Sequence, residues 1–207
     1  MTSGESLPRP AATLVSVFAG RSDYSTAVRG AAVLFIAALT AAAAQVSIPL
    51  PFTPVPFTLQ PMIVLLGGAA LGSRLGLSAQ VLYLAAGIAG LPVFAASPVL
   101  PQGAARLFGP TGGYLMAYPL AAFVAGWLAE RGLDRHYLGS VLAMATGLGL
   151  VFTGGVAWLA WLTPGAAGFG AAIATGLVPF LPADLLKIFV AAAVMPSVWR
   201  LTGRHRT

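Results

Sequence analysis

The chain has 207 residues, 58% hydrophobic and only 8% charged, with a net charge of +6 and no cysteine; soluble domains carry roughly 25% charged residues. Long apolar runs recur from Ala31 onward, which describes an all-α integral membrane protein and excludes a transmembrane barrel, whose strands need alternating polar residues. The absence of cysteine excludes disulfides and thiolate chemistry, and basic residues that flank apolar runs set membrane orientation rather than bind nucleic acid.

Residues 1–30 carry Glu5, Arg9, Arg21, Asp23 and Arg29 around the short apolar patch "AATLVSVFAG". The patch lacks a small-residue cleavage site, so the expectation is a cytoplasmic tail lying partly on the membrane surface, not a signal peptide. A membrane domain over 31–200 follows, and 201–207 read as a second cytoplasmic tail. Six transmembrane helices are predicted, since a span needs about 20 residues, or somewhat fewer where the bilayer adapts. They run over 31–48, 58–71, 75–89, 113–129 and 138–162. The last begins between Phe169 and Pro182 and ends near Trp199.

Six spans with the N-terminus inside place both termini in the cytoplasm. Nine of the ten arginines then fall on that side, and only Arg106 lies outside. Lysine and arginine bias sets orientation, so this distribution selects the topology. The proline-rich stretches "IPLPFTPVPFT" (48–58), "LPVFAASPVLPQ" (91–102) and "FGPTGGY" (108–114) all fall in outside connections. Such loops either form a lid over a site or pack as interfacial connectors on helix ends.

Two small-residue patterns stand out. Ala37 and Ala41, and the neighbouring Ala38 and Ala42, give overlapping A-x-x-x-A repeats in the first span, while Gly68, Gly72 and Gly76 give consecutive G-x-x-x-G repeats. Small residues at this spacing let helices approach closely. For the glycines the reading is internal packing; for the alanines a docking face for a partner membrane protein competes with it.

The stretch "LPADLLKIFV" (181–190) holds Asp184 and Lys187, the only charges between Thr163 and Trp199. Pro182 suits the first turn of a helix, which puts Asp184 in that turn near the outer surface and Lys187 over the same face. An intrahelical ion pair that merely packs is one reading. Each intramembrane charge costs about 2.5–3.5 kcal/mol to insert, however, and such residues mark a pathway or site. Catalysis lacks its parts: His136 and His205 lie outside the spans, and no G-x-x-x-x-G-K-[ST] phosphate loop is present. One acid, one lysine and one outside arginine near Phe- and Pro-rich loops describe a small-molecule site for an amphipathic ligand.

With these residues in view, the chain resembles the BioY family, the biotin-binding S components of energy-coupling factor (ECF) transporters. The resemblance covers roughly 34–192 and rests on "VPFTLQ" (55–60), "LGSRLG" (71–76), "LYLAAGIAGLPVF" (82–94), "GPTGGYL" (109–115) and "PFLPADLLK" (179–187) in the same order. It implies a six-helix S component in the bacterial inner membrane that captures biotin at the outer face and works with a transmembrane coupling protein and a pair of ATPases. It implies no catalytic activity, cofactor or metal. It also raises the alanine pairs above packing as a docking motif, without deciding which pair faces the partner. Asp184 and Lys187 match residues lining the biotin site: Asp184 would accept a urea N–H and Lys187 donate to the urea oxygen, with Arg106 meeting the carboxylate. The competing assignment gives that carboxylate to Lys187. Phe94 and Tyr114 would pack the ring or tail, and Gln60 and Thr111 complete the polar rim. The loop "AASPVLPQGAARLF" (95–108) departs from the family, where many members have a Gly-rich stretch with a polar side chain.

Overall fold

A computed structural model describes residues 12–20, 25–96, 102–163 and 168–202. The elements in chain order are α1 (Leu14–Ala19), α2 (Ser25–Gln45), β1 (Ser47–Ile48), β2 (Phe57–Thr58), α3 (Gln60–Leu71), α4 (Ser73–Ile88), α5 (Gly112–Ala129), α6 (Tyr137–Leu162), α7 (Gly168–Gly176), α8 (Leu181–Ala192) and α9 (Val194–Thr202). Short 3-10 turns at Ala104–Phe108 and Leu133–Arg135 flank α5.

The bundle is built for a medium without water. Large apolar side chains such as Phe35, Leu138, Trp161, Phe169 and Leu186 point outward, whereas the interior of α5 is lined by Ala121, Ala122, Ala125 and Gly126. Apolar outer surfaces with small residues between helices are the membrane pattern. Four of the described stretches are long and apolar enough to cross a membrane: α2, α5, α6 and the run Leu181–Thr202 formed by α8 and α9. Of the six expected crossings, the two over 58–71 and 75–89 correspond to shorter helices, α3 with 12 residues and α4 with 16.

Helix α5 is the hub, packed against α3, α4 and α6. The glycine repeat makes this possible. A Cβ on Gly68 would collide with the backbone of Ala122, one on Gly76 would come within 2.8 Å of Gly68 Cα, and one on Gly126 would strike the Gly72–Ser73 backbone. The internal-packing reading of these glycines holds. Gly72 also ends α3 and opens α4 at φ +88°, a conformation that L side chains rarely adopt. The last span breaks at Ala193 because Pro196 can neither donate to the carbonyl of Ala192 nor fit beside it.

The N-terminal region differs from the expected surface tail. Leu14, Val15, Val17 and Ala19 are buried, Leu14 and Val17 join the main core, and Arg135 donates to the Ala12 carbonyl at 3.0 Å. Helix α2 begins at Ser25, ahead of the expected start at 31. The first difference arises because Leu14, Val15, Val17 and Ala19 have a bundle end to bury against, which local sequence cannot show. Another addition is the two-residue antiparallel ladder, Ser47 opposite Thr58 and Ile48 opposite Phe57, which ties the ends of the first proline loop together.

A polar cluster closes the α5–α6 end of the bundle. Glu130 accepts from Ser73 N at 2.8 Å and from its hydroxyl, capping α4. Trp199, fully buried, donates from Nε1 to Asp134 at 2.5 Å, and the Arg135 guanidinium stacks 3.6 Å from the Trp199 ring centre.

Candidate ligand-binding site

The starts of α3, α5 and α8 converge at the opposite end, because each is entered from a proline loop. Pro61 occupies the first turn of α3 and Pro182 that of α8, where the missing N–H costs nothing. The Gly112–Gly113 pair opens α5 against Trp158, whose indole donates to the Gly109 carbonyl at 2.9 Å. Together they frame a mostly apolar recess into which a few polar groups converge, the make-up of a small-molecule site.

Six of the seven candidate ligand residues line it: Gln60, Phe94, Arg106, Thr111, Tyr114 and Asp184. Gln60, Arg106 and Asp184 are each at most 5% exposed, so three strongly polar groups are held out of water in a largely apolar wall. Burial lowers the pKa of the Arg106 guanidinium from its ordinary value, and an anionic ligand group beside it would offset the cost of holding that charge out of water. The Thr111 hydroxyl is buried without a hydrogen-bond partner among the described residues. That leaves it available to a ligand. The Tyr114 hydroxyl is already committed to the Gly176 carbonyl at 2.7 Å, so Tyr114 offers its ring.

Lys187 is the seventh, and it stands behind the wall. Its ammonium donates to Asp184 Oδ1 at 2.7 Å and to the Thr58 carbonyl at 2.6 Å, and lies 3.4 Å from the Phe57 ring centre. Both charges of "DLLK" are thus engaged with each other, and the lysine fastens the first proline loop to α8. That loop contributes Val55, Pro56 and Thr58 to the recess, which favours its reading as a cover over a site. Of the second proline loop (91–102), Phe94 and Ala95 line the wall and Gln102 donates to the Phe94 carbonyl at 3.1 Å; residues 97–101 lie outside the described part.

Sequence reasoning passed over Tyr118, Phe152 and Phe180, which also line the recess. Tyr118 could have been found, since it sits one turn after Tyr114 on the same face of α5. Phe152, mid-way along α6, carries no local signal. The alanine repeats also separate. Ala37 is buried and Ala41 packs on the core, whereas Ala38 and Ala42 are exposed on the outer side of α2 beside Leu34 and Phe35.

The BioY family profile matches residues 16–204, nearly the whole chain and every element that frames the recess. The chain belongs to the BioY family. Among its relatives, the biotin transporter BioY of Thermotoga maritima is 43% identical over 158 residues, 76% of this chain and 87% of that protein. The probable biotin transporter BioY of Pyrococcus horikoshii is 39% identical over 161 residues, covering 78% and 89%. The fold resembles the crystal structure of the S component for biotin from an ECF-type ABC transporter, with TM-score 0.76, 25% identity, and coverage of 86% of this chain and 94% of that one. BioY membership fits a helical membrane bundle with a polar-lined recess at one end.

Proposed function

We propose that this BioY chain captures biotin in the recess and serves as the substrate-binding S component of an ECF transporter. The observation that carries the reading is one buried carboxylate and one buried guanidinium in the same aromatic-lined recess. Biotin presents a cyclic urea with two N–H donors, an apolar bicycle and tail, and a terminal carboxylate. Asp184 accepts a urea N–H, its position set by Lys187. Phe94, Tyr114 and Tyr118 pack the apolar parts, and Arg106 takes the carboxylate, with Thr111 and Gln60 as further polar contacts. Lys187 acts through Asp184 and the loop, not on either end of the vitamin.

The same reading places the recess at the outer face of the cytoplasmic membrane, with six crossings and both termini inside. Residues 201–207 then form a cytoplasmic tail, and the outward face of α2 meets the coupling protein of an ATP-driven module. Support comes from the arginine distribution and from the names of the relatives.

Calorimetry with purified protein and a panel of vitamins tests the reading. Biotin is expected to bind far more tightly than the others, and Asp184→Asn to weaken it about ten- to hundredfold, as for loss of a charge-assisted hydrogen bond. A different vitamin bound preferentially, or unchanged biotin affinity in Asp184→Asn, would overturn it.

A further inference from the structure

Tyr83 lies on α4, does not line the recess, and is 1% exposed. Its hydroxyl lies 2.6 Å from Gln60 Nε2 and 3.2 Å from the Val93 carbonyl. A phenol has one proton to give and lone pairs to receive with. The Val93 carbonyl can only accept, so the phenol proton goes there, and the phenol oxygen can only receive from Gln60. An amide that must donate to Tyr83 presents Nε2 backwards and keeps Oε1 as its acceptor. Gln60 itself is in the recess wall. The Tyr83 ring meanwhile stands edge-on to Phe94, centroids 5.6 Å apart, and Phe94 is seated against Gly87 with no room for a Cβ there.

From this relay we infer that Tyr83 is a positioning residue: it fixes the Gln60 amide so that Oε1, the acceptor, is the atom turned to the recess, with Nε2 directed at Tyr83. The inference rests on the biotin reading and deepens it. It pairs Gln60 Oε1 with one urea N–H while Asp184 takes the other, so that the site selects for a ligand carrying two neighbouring N–H donors. A rotated amide would present a donor to a donor. A polar site built for one hydrogen-bond pattern rejects the mismatched ligand because its own buried groups are left unpaired.

The experiment is a double-mutant cycle on biotin affinity in the full-length protein. Tyr83→Phe removes only the hydroxyl and keeps the edge contact with Phe94, and Gln60→Leu removes the amide. Tyr83→Phe is expected to weaken biotin binding about three- to tenfold, the scale of one hydrogen bond. In the Gln60→Leu background the same change should be worth less than twofold, because no amide remains to orient. Thermal unfolding of each variant reports whether it is folded. Unchanged affinity in Tyr83→Phe overturns the inference, as does an equal loss with and without Gln60, which would mark general loosening of the wall. The two readings fail differently. If Asp184→Asn weakens biotin but Tyr83→Phe does not, only the positioning role falls; if the wild-type protein does not bind biotin, both fall.

Discussion

The ammonium of Lys187 is held by a carboxylate, a carbonyl and an aromatic face, all supplied by the protein itself. Removing one member of a buried ion pair strands the other charge and costs about 3–5 kcal/mol. Lys187→Met should therefore lower the thermal unfolding temperature of detergent-purified protein markedly, and adding Asp184→Asn should recover part of the loss. A double variant as unstable as the sum of the singles would show that the two side chains are not coupled. The arrangement also explains how two charges are tolerated in an apolar span: neither is left unpaired, and both lie at the end of the helix, where the first turn favours a carboxylate.

At the scale of elements, the connection between α5 and α6 is fastened to α9 through Asp134 and Trp199. Burial raises the Asp134 pKa from 3.8 to about 6, opposed by the Trp199 hydrogen bond and by Arg135. The folded chain thus binds this proton more readily than the unfolded one. The contribution to stability is fully present below about pH 4 and is lost as pH rises through about 6. Asp134→Asn keeps an acceptor for the indole and removes the titration, so stability between pH 4 and 6 should vary less in the variant, measured by thermal unfolding across pH. Equal slopes would refute this role. The glycine seam gives a second element-scale expectation. Gly126→Ala drives a methyl into the Gly72–Ser73 backbone and should cost about 1–3 kcal/mol. At Gly149, where an added Cβ meets nothing within 4 Å, the same change should be neutral or stabilising by up to about 1 kcal/mol.

For the whole molecule, the recess and the Asp134–Trp199 cluster occupy opposite ends of α5, while the outward stripe of α2 runs between them. Ala38 and Ala42 are exposed there, and on the proposed role of this face Ala38→Trp or Ala42→Trp should abolish co-purification with a coupling protein and leave biotin affinity intact. Ala37 is buried, and Ala37→Trp should instead destabilise the fold by overpacking. Orientation can be read directly because the chain has no cysteine. A single cysteine at Pro54 should react with an impermeant maleimide added to whole cells, and one at Arg131 should not. The reverse pattern would invert the topology.

Membrane character, the helical class and the resemblance to the BioY family were readable from composition and ordered motifs, since an excess of apolar sequence leaves few alternatives. Asp184, Arg106 and Gln60 were readable as site candidates because polar residues beside apolar spans are conspicuous. The direction of each side chain was not. Lys187 turns from the recess toward Thr58 because a loop far away in sequence carries the carbonyl that receives it. The choice between the two alanine pairs, the burial of α1 and the relay through Tyr83 likewise depend on which helix lies alongside. The sequence by itself determined the medium in which this chain folds and the polar groups it has to offer a site; tertiary packing decided which of those groups face the recess, because only neighbours brought from other helices can satisfy and so orient them.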